Sequence, residues 1–178
     1  GVASVAELVA AAKSRPKGLS YASASTGSAN HLAGELFNRL AGVNMVHVPY
    51  KGGGPALADV IAGHVQLIFN NPLTALGHVR TGRLKALAVT GPRLPALPDV
   101  PGIGETVAGY SFTNWWGILA PAGAPADAIK RVNEELVAIA AMPEVRDRLR
   151  DLGLAAQGST PQQLGDLVRT ETDKVAKI

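Results

Sequence analysis

The sequence predicts an α/β fold, a mostly parallel sheet with helices on both faces, and a few observations carry that prediction. Short apolar, β-prone stretches alternate repeatedly with segments of helical periodicity. The connections between them are short, and none carries the two-residue signal of a hairpin. Consecutive strands therefore pair in parallel through right-handed helical crossovers.

Each element is announced by its own residues. Ser4-Val5-Ala6-Glu7 is a capping box, in which hydroxyl and carboxylate each satisfy an orphan N–H of the first helix. Val5, Leu8 and Val9 give that helix an apolar face, and Pro16 to Gly18 close it. Leu19 to Ala22 reads as a short strand and Ser23 to Ser28 as a polar turn, with Ser28 placed to cap the next helix. Leu32, Leu36, Phe37 and Leu40 form that helix's buried face, and Gly42 ends it.

The stretch from Met45 to Ile61 organises the rest. Met45, Val46 and Val48 supply a strand, Gly52-Gly53-Gly54 a turn, and Pro55 the first residue of a helix that buries Leu57, Val60 and Ile61. Gln66 to Phe69 is the next strand. Asn70-Asn71-Pro72 starts another helix by amide cap and proline, and this helix runs to Gly82. Leu84 to Val89 reads as a further strand, followed by a proline-rich surface loop from Gly91 to Gly104.

Ser111 to Ala120 is an extended apolar segment with Trp115 and Trp116, one of them expected in the core and the other free to wall a cleft. Helices are expected from Ala126 to about Ala141, after Pro143 to Gly153, and after the capping box Thr160-Pro161-Gln162-Gln163. The last is expected to bury Leu164, Leu167 and Val168.

Composition narrows the function classes. The 178 residues are 47% hydrophobic and 17% charged, which is a globular balance. A net charge of +3 with no Lys/Arg cluster and 4% aromatic content argues against nucleic-acid binding. Without cysteine there is neither a disulfide framework nor a thiolate metal site. No apolar run is long enough to span a membrane, and the first residues lack the charged-then-apolar pattern of a signal peptide.

Ligands of an open parallel sheet lie beyond the carboxyl ends of its strands. The strand-to-helix turns expected to converge there are Ser25-Thr26-Gly27-Ser28, Lys51-Gly52-Gly53-Gly54 and Asn70-Asn71. Each opens a helix, so each presents unpaired N–H groups at the positive end of a helix dipole. Hydroxyls from the first turn and amides from the third add neutral donors, a combination suited to a carboxylate or a phosphate. His31 and Tyr50 could add further donors, although a helix-terminal histidine with a local partner accounts for His31 equally well. Lys51 is more often a solvated flank, and His47, His64 and His78 read as structural or surface residues.

Enzyme signatures are missing. The lysine precedes the glycine turn and no Ser/Thr follows, so this is not a Walker loop. Gly102-Ile103-Gly104 does not complete a dinucleotide fingerprint, and neither HExxH nor GxSxG occurs. No acidic residue close to His31 is expected to orient it as a base. No cofactor and no metal are expected.

At these same residues the chain resembles a known family. LSYASASTGSANHLAGELF, MVHVPYKGGGPALADVIAGHVQLIFNN and GRLKALAVTGPRLPALPDVPGIGET are similar to the Bug-type receptors, the periplasmic solute-binding proteins of tripartite tricarboxylate transport systems. WWGILAPAGAP and GSTPQQL match as well. The resemblance implies a periplasmic-binding-protein type II-like fold, a periplasmic location, and capture of a small mono- or dicarboxylate without catalysis. It also implies membrane transporter components as partners. Carried over by position, Thr26-Gly27-Ser28, His31, the turn from Tyr50 to Ala56, and Asn70-Asn71 face the ligand. Gly53-Gly54 stands where many members show a serine or other small residue.

Members of the family are usually longer. The resemblance implies that residues 1–110 are the second ligand-binding domain and that 111–178 return to the first. Apolar helices left without that domain predict dimerisation, strand exchange or a rearranged fold. Two competing functions stay open: an effector-binding regulatory domain, which would need a DNA-binding module, and a small α/β enzyme using His31 paired with a carboxylate.

Overall fold

The computed structural model describes residues 2–178, which divide into two compact units, one running to Asn114 and the other spanning Trp115–Lys177. The first unit is built on a parallel three-stranded sheet. Its strands are β1 (Ser20–Ser23), β2 (Val46–Pro49) and β3 (Leu67–Ile68), in the order β2-β1-β3. Registers of Ser23 against Pro49 and Ala22 against Ile68 bring the carboxyl ends of all strands to one edge.

Helix α1 (Val5–Ser14) precedes the sheet, α2 (Ala29–Ala41) links β1 to β2, α3 (Gly53–Ala62) links β2 to β3, and α4 (Pro72–Arg80) follows β3. Alternation of side chains along β1 explains the layers. Tyr21 joins Val5, Leu8, Ala12, Ala33 and Phe37 in the larger core, on the side of α1 and α2. Ala22 points the other way, into a smaller cluster with Ala56 of α3 and Val65. The chain thus crosses one face to reach β2 and the opposite face to reach β3. That reversal makes a topological switch point beside β1.

Several local expectations are corrected. Glu7 does not close its capping box on Ser4; its carboxylate accepts from Ala3 N–H at 2.7 Å, while the Ser4 hydroxyl accepts from Glu7 N–H at 3.2 Å. Helix α3 starts at Gly53, not at Pro55, so two of the turn glycines are already helical. Pro55 is still tolerated because first-turn N–H groups have no intrahelical partner.

Leu84–Val89 forms no strand. Only Val89 pairs, as an isolated parallel bridge to Gly102, with Val89 N–H donating to Pro101 O and Ile103 N–H to Val89 O. The partner segment is proline-rich, and a proline has no N–H to extend a ladder. A 3₁₀ turn at Ile103–Glu105 follows.

The second unit contains α5 (Ala126–Ala141), α6 (Pro143–Asp151) and α7 (Pro161–Val175), the last opened by the expected Thr160–Gln163 capping box. No described residue of these helices is buried. Leu167 and Val168, expected inside, are 38% and 37% exposed. Ser111–Ala120 is irregular, and neither tryptophan is buried: Trp115 is half-buried and Trp116 is 62% exposed. A face of helical spacing says which side chains want cover, but not what supplies it.

Candidate functional site

The carboxyl edge of the sheet gathers the expected turns, and the hydrogen bonds show how. Loop 24–28, after the central strand, is bonded to the turn that follows β2, and the first turn of α2 to the residue that follows β3. On one side Tyr50 N–H donates to Ser23 O at 2.9 Å and Gly52 N–H to Ala24 O at 2.8 Å. On the other, the amide of Asn30, in the first turn of α2, donates to the carbonyl of Phe69 at the end of β3.

Within that edge each helix start is built differently. Ser28 caps α2, but its single hydroxyl proton goes to Ser25 O at 2.7 Å, so its contribution to a ligand is through the backbone it shapes. Thr26, exposed beside it, keeps an uncommitted hydroxyl, and Ser25 is exposed too. Gly27 takes φ +79° and donates its N–H to His31 Nδ1 at 3.1 Å.

At α3, Gly52 has φ +121° and ψ 162°, a region essentially closed to side-chain-bearing residues. Gly53 and Gly54 are exposed in the first turn, and a Cβ on either would meet nothing within 4 Å. Ala56 is fully buried beneath them. At α4, Asn71 Oδ1 accepts from Leu73 N–H at 2.8 Å, and the Asn70 amide donates to Thr74 Oγ1 at 3.0 Å.

Side chains expected to add donors behave unequally. The Tyr50 hydroxyl donates to Asp59 Oδ2 at 2.7 Å and so turns only lone pairs outward. That bond raises the Tyr50 phenol and lowers the Asp59 carboxylate. Lys51 is exposed.

His31 has both a local partner, Gly27, and an acidic neighbour. Glu35, one helical turn on, lies 3.9 Å from its Nε2. The expectation that no carboxylate sits near His31 fails because positions four apart share a helix face. Glu35 also accepts the Tyr21 hydroxyl at 2.5 Å, and burial, then that bond, hold the tyrosine well above its usual range. The His47 ring lies tilted against that of His31 with centroids 4.0 Å apart, so it is structural but not remote from the site.

Asn30 and Glu35 went unnoticed in the sequence, and His47 was read only as a structural or surface residue. For Glu35 the i, i+4 spacing was available as a signal; for His47 none was, because only strand register brings it there. Among the described residues no group of three or more His, Asp or Glu side chains could hold a metal ion.

A parallel α/β lobe whose helix starts converge as neutral donors on one edge is the architecture of an anion-binding lobe. Comparison with known proteins makes the assignment specific. Residues 2–178 match the tripartite tricarboxylate transporter family receptor, and the chain belongs to that family. Its members are solute-binding receptors, not enzymes.

Among curated relatives, the UPF0065 protein of the tcbD-tcbE intergenic region of Pseudomonas sp. strain P51 is 36% identical over 177 residues, which is 98% of this chain and 53% of that protein. Among solved structures, R. palustris Rpa4515 with adipate superposes with a TM-score of 0.93 at 35% identity, covering 99% of this chain and 60% of that one. MatC (Rpa3494) from Rhodopseudomonas palustris with bound malate gives 0.84 at 29% identity, covering 97% and 60%. The chain thus spans about half of that curated relative and 60% of the two solved chains.

Proposed function

We propose that this chain is the ligand-binding part of a periplasmic receptor that captures a small carboxylate, best a dicarboxylate, for a tripartite tricarboxylate transporter. The observation that carries the reading is the convergence of the α2, α3 and α4 starts on one edge, where loop 24–28 is bonded to one neighbouring turn and Asn30 to the other. Each helix start favours an anion by about 0.3–1 kcal/mol, and the donors of the first and third turns are neutral. Adipate and malate in the similar structures are both dicarboxylates, which supports that class.

In this reading Ser25, Thr26, Gly27, Ser28 and His31 form one wall of the site. Tyr50, Lys51, Gly52, Gly53, Gly54 and Ala56 form the second, and Asn70 and Asn71 the third. Residues 1–110 are the second domain of a two-domain receptor, and 111–178 return to the first. Exposure of Trp116, Ile118 and Leu119 at 62%, 67% and 77% supports a segment that expects cover from the other lobe or from a second copy.

The test is calorimetric titration and thermal shift with malate, adipate and a monocarboxylate, using phosphate and sulfate as controls and a mass measurement alongside. Saturable stabilisation by a dicarboxylate, weakened severalfold by Thr26→Val, is expected. Equal response to phosphate and dicarboxylate, or no response to any carboxylate, would remove the proposal.

A further inference from the structure

His31 carries more than its place beside the ligand edge, because its hydrogen bond depends on its charge. Gly27 N–H donates to His31 Nδ1 at 3.1 Å, so Nδ1 holds a lone pair and the proton of the neutral ring sits on Nε2. An imidazolium has protons on both nitrogens and cannot accept that bond. On protonation two N–H groups would face each other, and the loop that Gly27 belongs to would lose its tie to α2.

The surroundings of the ring are equally specific. From β2, the His47 ring lies against it with centroids 4.0 Å apart and planes tilted by 33°. His47 is itself held at 2.6 Å by Ser23 Oγ. That hydroxyl spends its proton on Ser25 O at 3.0 Å, so His47 Nε2 is the donor. Burial, and then the nearby His31, lower the proton affinity of His47, with Glu35 partly offsetting them.

From α2, the Glu35 carboxylate lies 3.9 Å from His31 Nε2. From β1, Tyr21 is tied to Glu35 and stacked on His47 at 5.1 Å, while Phe69 beyond it is apolar. His31 is thus the member of the pair that has a carboxylate beside it, and its other nitrogen holds the loop.

We infer that the ligand edge is proton-gated: neutral His31 holds Gly27 of loop 25–28, and protonation of His31 breaks that tie and frees the Gly27 end of the loop. The gating concerns the site proposed above and rests on that reading for what the loop binds, but not for the coupling between ring and loop. The tie exists while His31 is neutral and is lost when His31 takes a proton. A dicarboxylate begins to take up a proton toward the acid end of the histidine range, so affinities are compared in the upper part of that range, where the ligand stays doubly ionised.

The experiment is an NMR titration of the ligand-free chain, following the His31 and His47 rings and the Gly27 amide, beside calorimetry with malate across the same pH range. The Gly27 amide should titrate with the midpoint of the His31 ring, and malate affinity should fall about fivefold or more below it. Glu35→Gln keeps an acceptor for Tyr21 but removes the charge, and the two midpoints should stay equal to each other in that variant. A Gly27 amide indifferent to the His31 midpoint, or midpoints that separate in E35Q, would overturn the gate. A titrating amide with a flat affinity profile would overturn its link to binding. Absence of malate binding at every pH would count against the proposed function while leaving the loop coupling measured.

Discussion

Gly34 of α2 lies directly against the ring of Tyr21: a Cβ built on Gly34 would stand 2.3 Å from Tyr21 Cε2 and 2.6 Å from Cζ. Tyr21 is fully buried and its hydroxyl is bonded to Glu35, so the ring has nowhere to retreat. This contact sets how closely α2 approaches β1, and with it the position of the first turn of α2 at the ligand edge. Gly34→Ala should therefore destabilise the protein. Overpacking costs about 1–3 kcal/mol, more than the roughly 0.5–1 kcal/mol that alanine returns in a helix. A urea midpoint equal to or above wild type would show that the helix shifts without cost.

Asn38, near the end of α2 and 8% exposed, binds both the N–H and the carbonyl of Met45 at 3.1 Å. It fixes where the chain enters β2. Asn38→Ala leaves two backbone groups next to the core unpaired, and a loss of about 2–4 kcal/mol is expected. Chemical denaturation reads this directly, and a loss under about 0.5 kcal/mol would mean that water replaces the amide.

Gly53 and Gly54 offer open space where a side chain could reach the ligand edge. Gly54→Ser should leave stability within about 0.5 kcal/mol of wild type. If the proposed site is right, the added hydroxyl should change dicarboxylate affinity by about two- to tenfold. Unchanged affinity with unchanged stability would place the ligand away from the α3 start.

Glu105 links the loop after residue 90 to the body of the first unit. Arg93 donates to its carboxylate at 2.7 and 3.0 Å and Gly102 N–H at 2.8 Å, which lowers Glu105 from 4.5 to about 2. Because the folded state holds the proton less tightly than the unfolded chain, this pair stabilises the protein above about 4.5. The contribution fades as pH falls toward about 2. Glu105→Gln should flatten that limb of the stability–pH curve; an identical acid limb would mean that other carboxylates dominate it.

The sequence by itself determined the α/β class, most of the helix starts and the turns at the carboxyl edge of the sheet. Those are local matters: Ser4, Ser28, Asn71 and Thr160 accept N–H bonds within a turn of chain, and an N-cap is legible wherever it occurs. Family membership was legible for the same reason, since the motifs that carry it are contiguous. Boundaries shifted by a residue or two where propensity is weak, as at Gly53 and Pro55.

Only the tertiary structure decided what happens across elements. The parallel register of β1 and β2 sets Tyr21 opposite His47 and leaves His47 lying against His31. The crossover past β1 brings Asn30 to Phe69. Leu84–Val89 had strand propensity but found a proline-rich neighbour that could not sustain a ladder. In the unit from Trp115, helical spacing was right while burial was not, because propensity is a property of the segment and burial a property of its partner.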